Sequence, residues 1–311
     1  MNIERILRIG KRVLAASLWT AIAWGLVRGA GAGGEERVLP LPKLQNGESL
    51  HYEARARIDR NIATKSNVAS MVGPRQVRRD LATGLRLDVQ EMRWEDNRPL
   101  LSGESVIVPL EAPEAGEAPA KSVKVHFTVS GNGDIRVIDG ADDLDPEQNL
   151  TWQFWVARFA FAWTLPAGGV RPGDKWKSVE PEKAPSPITG LLWEREISYV
   201  QNDKCPVLAD ELCAIFLTSS TLRQKSNPKD TTPEDYRLRE LKTSGTANGT
   251  NETVSYVSLK TGVIVRATED LQQNMDVSIE KADGSNHIHY TITVKSHLET
   301  TLRAPLNLSA D

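Results

Sequence analysis

SLHYEARARID, residues 49–59, is the stretch that decides the fold. Leu50, Tyr52, Ala54, Ala56 and Ile58 share one parity, and His51, Glu53, Arg55, Arg57 and Asp59 share the other. A period of two belongs to a strand with one face in a core and one in water. KSVKVHFTVSG (121–131) repeats it, with Val123, Val125, Phe127 and Val129 set against Lys124, His126 and Thr128. NHIHYTITVKSHLETTL (286–302) does so again, with Ile288, Tyr290, Ile292 and Val294 on one parity. Turn signals separate such runs: Gly131-Asn132-Gly133-Asp134, Asn248-Gly249, Lys260-Thr261-Gly262 and Asp283-Gly284. Two-faced strands joined by short turns make an antiparallel meander, so the expected class is mainly β.

The meander is expected in two halves, 44–140 and 191–304. An echo supports shared plans: DLATGLRLDVQEM (80–92) and SLKTGVIVRATEDL (258–271) both carry Leu-x-Thr-Gly ahead of an alternating run. Residues 33–43 read as an extended N-terminal segment and 305–311 as a tail. EAPEAGEAPAK (111–121) and KSNPKDTTPEDY (225–236) read as polar loops. Residues 166–190 form a proline-rich connection, within which Trp176 starts a strand.

One segment, 145–165, breaks the β pattern. Asp145 suits a helix N-cap, Pro146 the first turn, and Glu147 the positive end of the helix dipole. Leu165-Pro166 ends it. Trp152, Phe154, Trp155, Phe159, Phe161 and Trp163 are six of the chain's 18 aromatics (8 Trp, 5 Tyr, 5 Phe), all within residues 152–163. Together they bury on the order of 1,000 Å². Such a helix plugs the β core, roofs an apolar ligand or meets a partner, and these six rings are the candidate ligand-binding residues.

The first residues set the compartment. Arg5, Arg8, Lys11 and Arg12 precede the apolar run Val13–Val27, and Ala30-Gly31-Ala32 follows. A basic region, a short apolar run and a small-residue site make a secretory signal peptide over 1–32. An uncut anchor is the alternative, but the run is short of the roughly 20 residues that span a bilayer. Cleavage reduces 38 Lys+Arg to 33 and 41 Asp+Glu to 40, a net charge near −7. A mildly acidic exported chain is a poor candidate for binding phosphate backbones, which calls for clustered basic residues. No stable membrane span is expected after cleavage.

Cys205 and Cys213 are the only cysteines. In an oxidising compartment a disulfide persists. Zinc sites favour closer pairs accompanied by histidine, and redox sites favour C-x-x-C. The alternating WEREISYV (193–200) lies before the pair and AIFLTSSTL (214–222) after it. The cysteines therefore sit at the shoulders of a hairpin, as a staple.

Leu165-Pro166, then Val170, Pro172-Gly173-Asp174 and Trp176, with Leu44, Gly47, Leu50 and Tyr52 upstream and the two-cysteine hairpin downstream, carry a resemblance. The chain resembles a family of exported bacterial β-rich proteins without an assigned activity. That family looks distantly like the periplasmic lipoprotein carriers. The resemblance implies an antiparallel half-barrel curled around helices, with acyl chains as the ligand class. It carries no functional residue across.

Catalytic signals are weak. His287, His289 and His297 share a solvated parity without a placed third ligand, so no metal site is assigned. No G-x-S-x-G occurs. Glu194 and Glu196 share a strand face, as paired carboxylates of a glycosidase do, yet such pairs are common on outer faces. The expectation is therefore a non-enzymatic exported binding or scaffold protein, periplasmic or secreted. It requires no cofactor and takes an apolar small molecule or lipid. The alternatives are a hydrolase of envelope polymers and a partner-binding subunit of an envelope complex.

Overall fold

The computed structural model describes residues 37–67, 73–110, 121–182, 186–208, 210–281, 283–284 and 286–303. The signal segment, most of the 111–121 loop and the 305–311 tail lie outside the described residues.

Eleven strands form one antiparallel sheet: β1 (Ser49–Ser66), β2 (Gly73–Glu95), β3 (Arg98–Pro109), β4 (Val123–Val129), β5 (Ile135–Asp139), β6 (Lys175–Pro181), β7 (Leu191–Lys204), β8 (Leu212–Gln224), β9 (Leu241–Ser258), β10 (Ile264–Lys281) and β11 (Ile288–Arg303). Their spatial order is β5-β4-β3-β2-β1-β11-β10-β9-β8-β7-β6. The sheet is curled and not closed. The two expected halves are thus two meanders within one sheet, joined along the β1–β11 seam, where Tyr52 faces Leu302 and Ile62 faces Ile292.

This order has a geometric consequence. β5 and β6 are consecutive in the chain but form opposite edges of the sheet. The link between them must cross the sheet, and helix α1 (Pro146–Phe159) is that link. Asp145 caps it, accepting from the amides of Glu147 and Gln148 at 2.8 Å, while the Gln148 side chain returns to the Asp145 amide at 3.2 Å. The aromatic segment then tightens into a 3-10 turn, Ala160–Thr164, so the expected helix over 145–165 is α-helical only to Phe159.

The helix crosses a row of small side chains. Register aligns Ser255, Ala267, Thr300, Ala54 and Thr83 across β9, β10, β11, β1 and β2. All five are buried. Small residues let the helix approach the sheet closely, and Thr151 lies 3.4 Å from the Thr83 hydroxyl. The flanking rows carry the large apolar residues that fill the curl, among them Tyr52, Leu85, Phe127 and Phe216.

Three local readings of the sequence are corrected. Thr83-Gly84 lies inside β2, whereas Gly262 sits in a turn at φ 71°, so the Leu-x-Thr-Gly echo marks no shared plan. Asn248-Gly249 lies inside β9. A Cβ on Gly249 would meet the Gln272 carbonyl at 2.9 Å, so this glycine serves a close strand approach and not a turn. The 225–236 loop is only partly solvated. Thr231 and Thr232 are buried against Thr243, and a short helix α2 (Glu234–Arg237) follows.

The cysteine expectation holds: Cys205 and Cys213 are disulfide-bonded, with Cα atoms 5.0 Å apart. Cys205 follows β7 and Cys213 lies in β8. The N-terminal segment seals the same end of the core. Val38 pairs with Val170 through two 2.8 Å backbone bonds, and Leu41 and Leu44 are buried.

Candidate functional site

The inner face of the sheet has three zones. The first is packed. Trp155 is fully buried, stacked on Phe159 at 5.5 Å between ring centres and edge-on to Phe127 at 6.1 Å. Trp152 Nε1 donates to Ser105 Oγ at 2.8 Å, and Trp163 Nε1 donates to the Pro99 carbonyl at 2.6 Å. Phe161 meets Phe216 at 5.2 Å. Tyr52 donates its hydroxyl to the Ile264 carbonyl at 2.9 Å, and burial pushes that phenol far above its usual pKa. None of the six candidate rings is more than 8% exposed. They fill the concavity as a plug. Five join the main core, while Phe154 belongs to a separate cluster with Ala56, Ile58 and Leu298.

The second zone is a polar belt. Arg158 of α1 meets Glu269 of β10 at 2.9 Å, and Thr253 lies within 3.4 Å of both side chains. Arg195 of β7 pairs with Glu180 of β6 at 3.0 Å. Burial lowers the Arg195 pKa, Glu180 opposes that shift, and the neighbouring Arg158 adds to it. Trp193 Nε1 donates to Glu182 at 2.8 Å. Each of these carboxylates is held by a cation or a donor. The sequence carried a signal for this belt that parity reading passed over. Glu269 and Gln273 occupy the inward parity of β10, between Ala267, Leu271 and Met275.

The third zone, beyond the belt, is an open trough of apolar side chains bordered by basic ones. Register places Met275, Ile292 and Ile62 side by side across β10, β11 and β1. Leu271, Val294 and Val77 share that face, and all six are half-buried, but the exposed Arg60 stands between Val294 and Val77, and Arg75 stands beside Ile62. Phe154, Ile58 and Leu81 stand at its inner wall. Val277, Leu222, Trp193 and Ile188 form a covered apolar cluster on the β7–β10 side. Four strands at about 4.8 Å spacing make the trough roughly 14 Å wide.

The outer face carries the remaining candidates. His289 meets Asp276 and His297 meets Asp270, each at 2.8 Å, and His287 lies 3.8 Å from Glu280. The three histidines are therefore taken by three separate carboxylates. Glu194 pairs with Arg223 at 3.5 Å, and Glu196 with Lys177 at 3.6 Å. An open groove of about 500 Å³ on this face is lined by Arg57, Asp59, Glu252, Asp270, Lys295 and His297, charges of both signs.

On β4, His126 stands between Asp139 at 2.5 Å and Glu104 at 2.6 Å. The Asp139 bond raises the His126 pKa most, burial opposes it, and Glu104 adds to the rise. Glu104 is lowered chiefly by its bond to Lys124, at 2.9 Å. No described helix is long and apolar enough to cross a membrane. The disulfide is consistent with an oxidising compartment. No family model matches this chain, and no curated protein matches it in sequence.

Proposed function

We propose that this is an exported, non-enzymatic binding protein that holds an apolar chain, such as a lipid acyl chain, in the trough. The observation that carries the reading is the contiguous apolar row Met275–Ile292–Ile62, with Val294 and Val77 on either side of Arg60 in the next row. These side chains are only half-buried on a sheet face whose other end is fully packed. Contiguous apolar surface left open beside a packed core is a common mark of a binding site. The likeness to periplasmic carriers and the signal-like N-terminus support the same reading. In it, α1 acts as a plug that sets the depth of the trough, and Phe154 is its inner wall.

Native mass spectrometry of the protein purified from its own envelope tests this. A retained lipid-sized mass that Ile292→Asp or Met275→Asp abolishes is the expected result. A bare wild-type protein overturns the proposal.

A second reading, a partner-binding subunit of an envelope complex, is favoured by edge strand β5, where Val137 and Ile138 are 39% and 57% exposed. Glu194 and Glu196 lend the hydrolase alternative no support, since both are ion-paired on the outer face.

A further inference from the structure

We propose that the trough selects amphiphiles with an anionic phosphate head, which Arg60 and Arg75 hold; the inference rests on the trough being an acyl-chain site. Register separates the charges of the two faces. Over Ile58–Thr64 of β1, Arg75–Arg79 of β2, Leu271–Val277 of β10 and Tyr290–Ser296 of β11, the inward positions include Arg60, Arg75 and Arg79 and no Asp or Glu. The outer face of the same strands mixes signs. Arg57 and Arg78 both reach Asp80, at 2.7 and 3.4 Å, while His289 meets Asp276 and His297 meets Asp270. Of the inward arginines, Arg79 is taken by Glu147 of α1 at 3.2 Å. Arg60 and Arg75 are exposed and have no ion pair among the described residues.

Protection of a free sheet edge accounts for only one of the two. β2 pairs with β3 only from Thr83 onward, so Arg75 lies on an edge, where a charge deters strand addition. β1 is paired on both sides, with β2 and β11, so Arg60 has no edge to guard.

The placement of the pair identifies the ligand. Arg60 faces Val77, and Arg75 precedes Val77 by two residues on the same face. The two arginines are therefore diagonal neighbours across the β1–β2 pair, about 7–8 Å apart at their bases. Both stems are long enough for the guanidinium heads to close on one anion between them. Two unpaired positive charges match a phosphomonoester, which carries about −1.5 to −2 at neutral pH, better than the single charge of a carboxylate. The apolar part of the trough lies to one side of them, where Met275 and Ile292 continue the row of Ile62 across β10 and β11. The acyl chain thus lies over β10 and β11 and the head over β1 and β2.

Titration calorimetry on the lipid-stripped protein tests this, with lipids kept below their micelle concentrations. Lysophosphatidic acid supplies the phosphomonoester head, and lysophosphatidylcholine of the same chain length supplies a head without net charge. The wild type is expected to bind the first about tenfold more tightly than the second, a preference that raised salt reduces. In Arg60→Gln/Arg75→Gln the ratio of the two affinities is expected to fall to about one. Lys175→Gln/Lys177→Gln, which removes as much charge from the far edge of the sheet, is expected to keep the wild-type ratio. Thermal melts of both variants establish that they are folded. Binding of both lipids by the wild type with equal affinity overturns this inference and leaves the acyl-chain reading standing, whereas binding of neither overturns both. A preference that survives in Arg60→Gln/Arg75→Gln, or an equal loss in the two variants, also overturns it. So does displacement of lysophosphatidic acid by an equal concentration of inorganic phosphate, which would mark an ion site indifferent to the chain.

Discussion

Arg158 and Glu269 meet at 2.9 Å where helix α1 crosses β10, with side chains only 14% and 10% exposed. Arg158 also lies over the Phe154 ring, 5.7 Å from its centre. The pair stands between the packed core and the open trough. Removing one partner leaves the other charge buried and uncompensated. Glu269→Ala is therefore expected to destabilise the protein by about 3–5 kcal/mol in denaturant unfolding. The double variant Arg158→Met/Glu269→Leu is expected to recover most of that loss, because two apolar side chains need no partner. A double variant as unstable as the single one refutes the ion-pair account.

Trp155→Ala removes a fully buried ring from the centre of the aromatic cluster. The expected loss is about 3–5 kcal/mol, measured by the same unfolding curves. Leu238→Ala, at a side chain 78% exposed, is expected to change stability by less than about 0.5 kcal/mol. Similar effects at the two positions contradict the plug assignment.

His126 gives the protein a pH-dependent edge. Its folded pKa is raised above the unfolded value, so its contribution is complete below about pH 6.5 and is lost as pH rises through the folded pKa. The stability gap between wild type and His126→Gln is expected to be largest near pH 6 and to close toward pH 9. Glu104 acts in the opposite direction. Its pKa is lowered, so its contribution is present above about pH 4.5 and fades on acidification. A gap that does not change between pH 6 and pH 9 rules out a protonated His126 clamp.

Reducing the Cys205–Cys213 bond is expected to add 2 Da in denaturing mass spectra. It closes a loop with a sequence separation of 8, worth roughly 2.5 kcal/mol in the chain-entropy account. Cys205→Ser/Cys213→Ser is expected to unfold at a correspondingly lower denaturant concentration. An unchanged midpoint means that the packing of Cys213 and Val265, both fully buried, holds the hairpin without the bond.

The strands were legible because alternation is local. Tyr52, Ala54, Ala56 and Ile58 announce their inward face without help from any distant residue. The helix start was legible for the same reason, since Asp145 caps within its own turn. Strand order was not legible, because nothing near Tyr52 specifies Leu302 as its neighbour. Gly249 read as a turn residue because glycine serves turns and close strand contacts alike. The trough was hidden for another reason. Ile62 and Met275 alternate just as buried residues do, and only the reach of α1 across the sheet decides which inward positions it covers.

The seam between the first and last strands has a consequence in time. The Arg303 guanidinium bonds to Glu53, a residue 250 positions earlier in the chain. Pairs within each meander join neighbours in sequence and can form as soon as both strands exist. The β1–β11 pair cannot form until β11 has left the ribosome, and α1 has its full floor of small residues only after that pairing. Completion of the core thus waits for β11 to emerge, and until then the nascent chain carries unfinished ribbons with open edges.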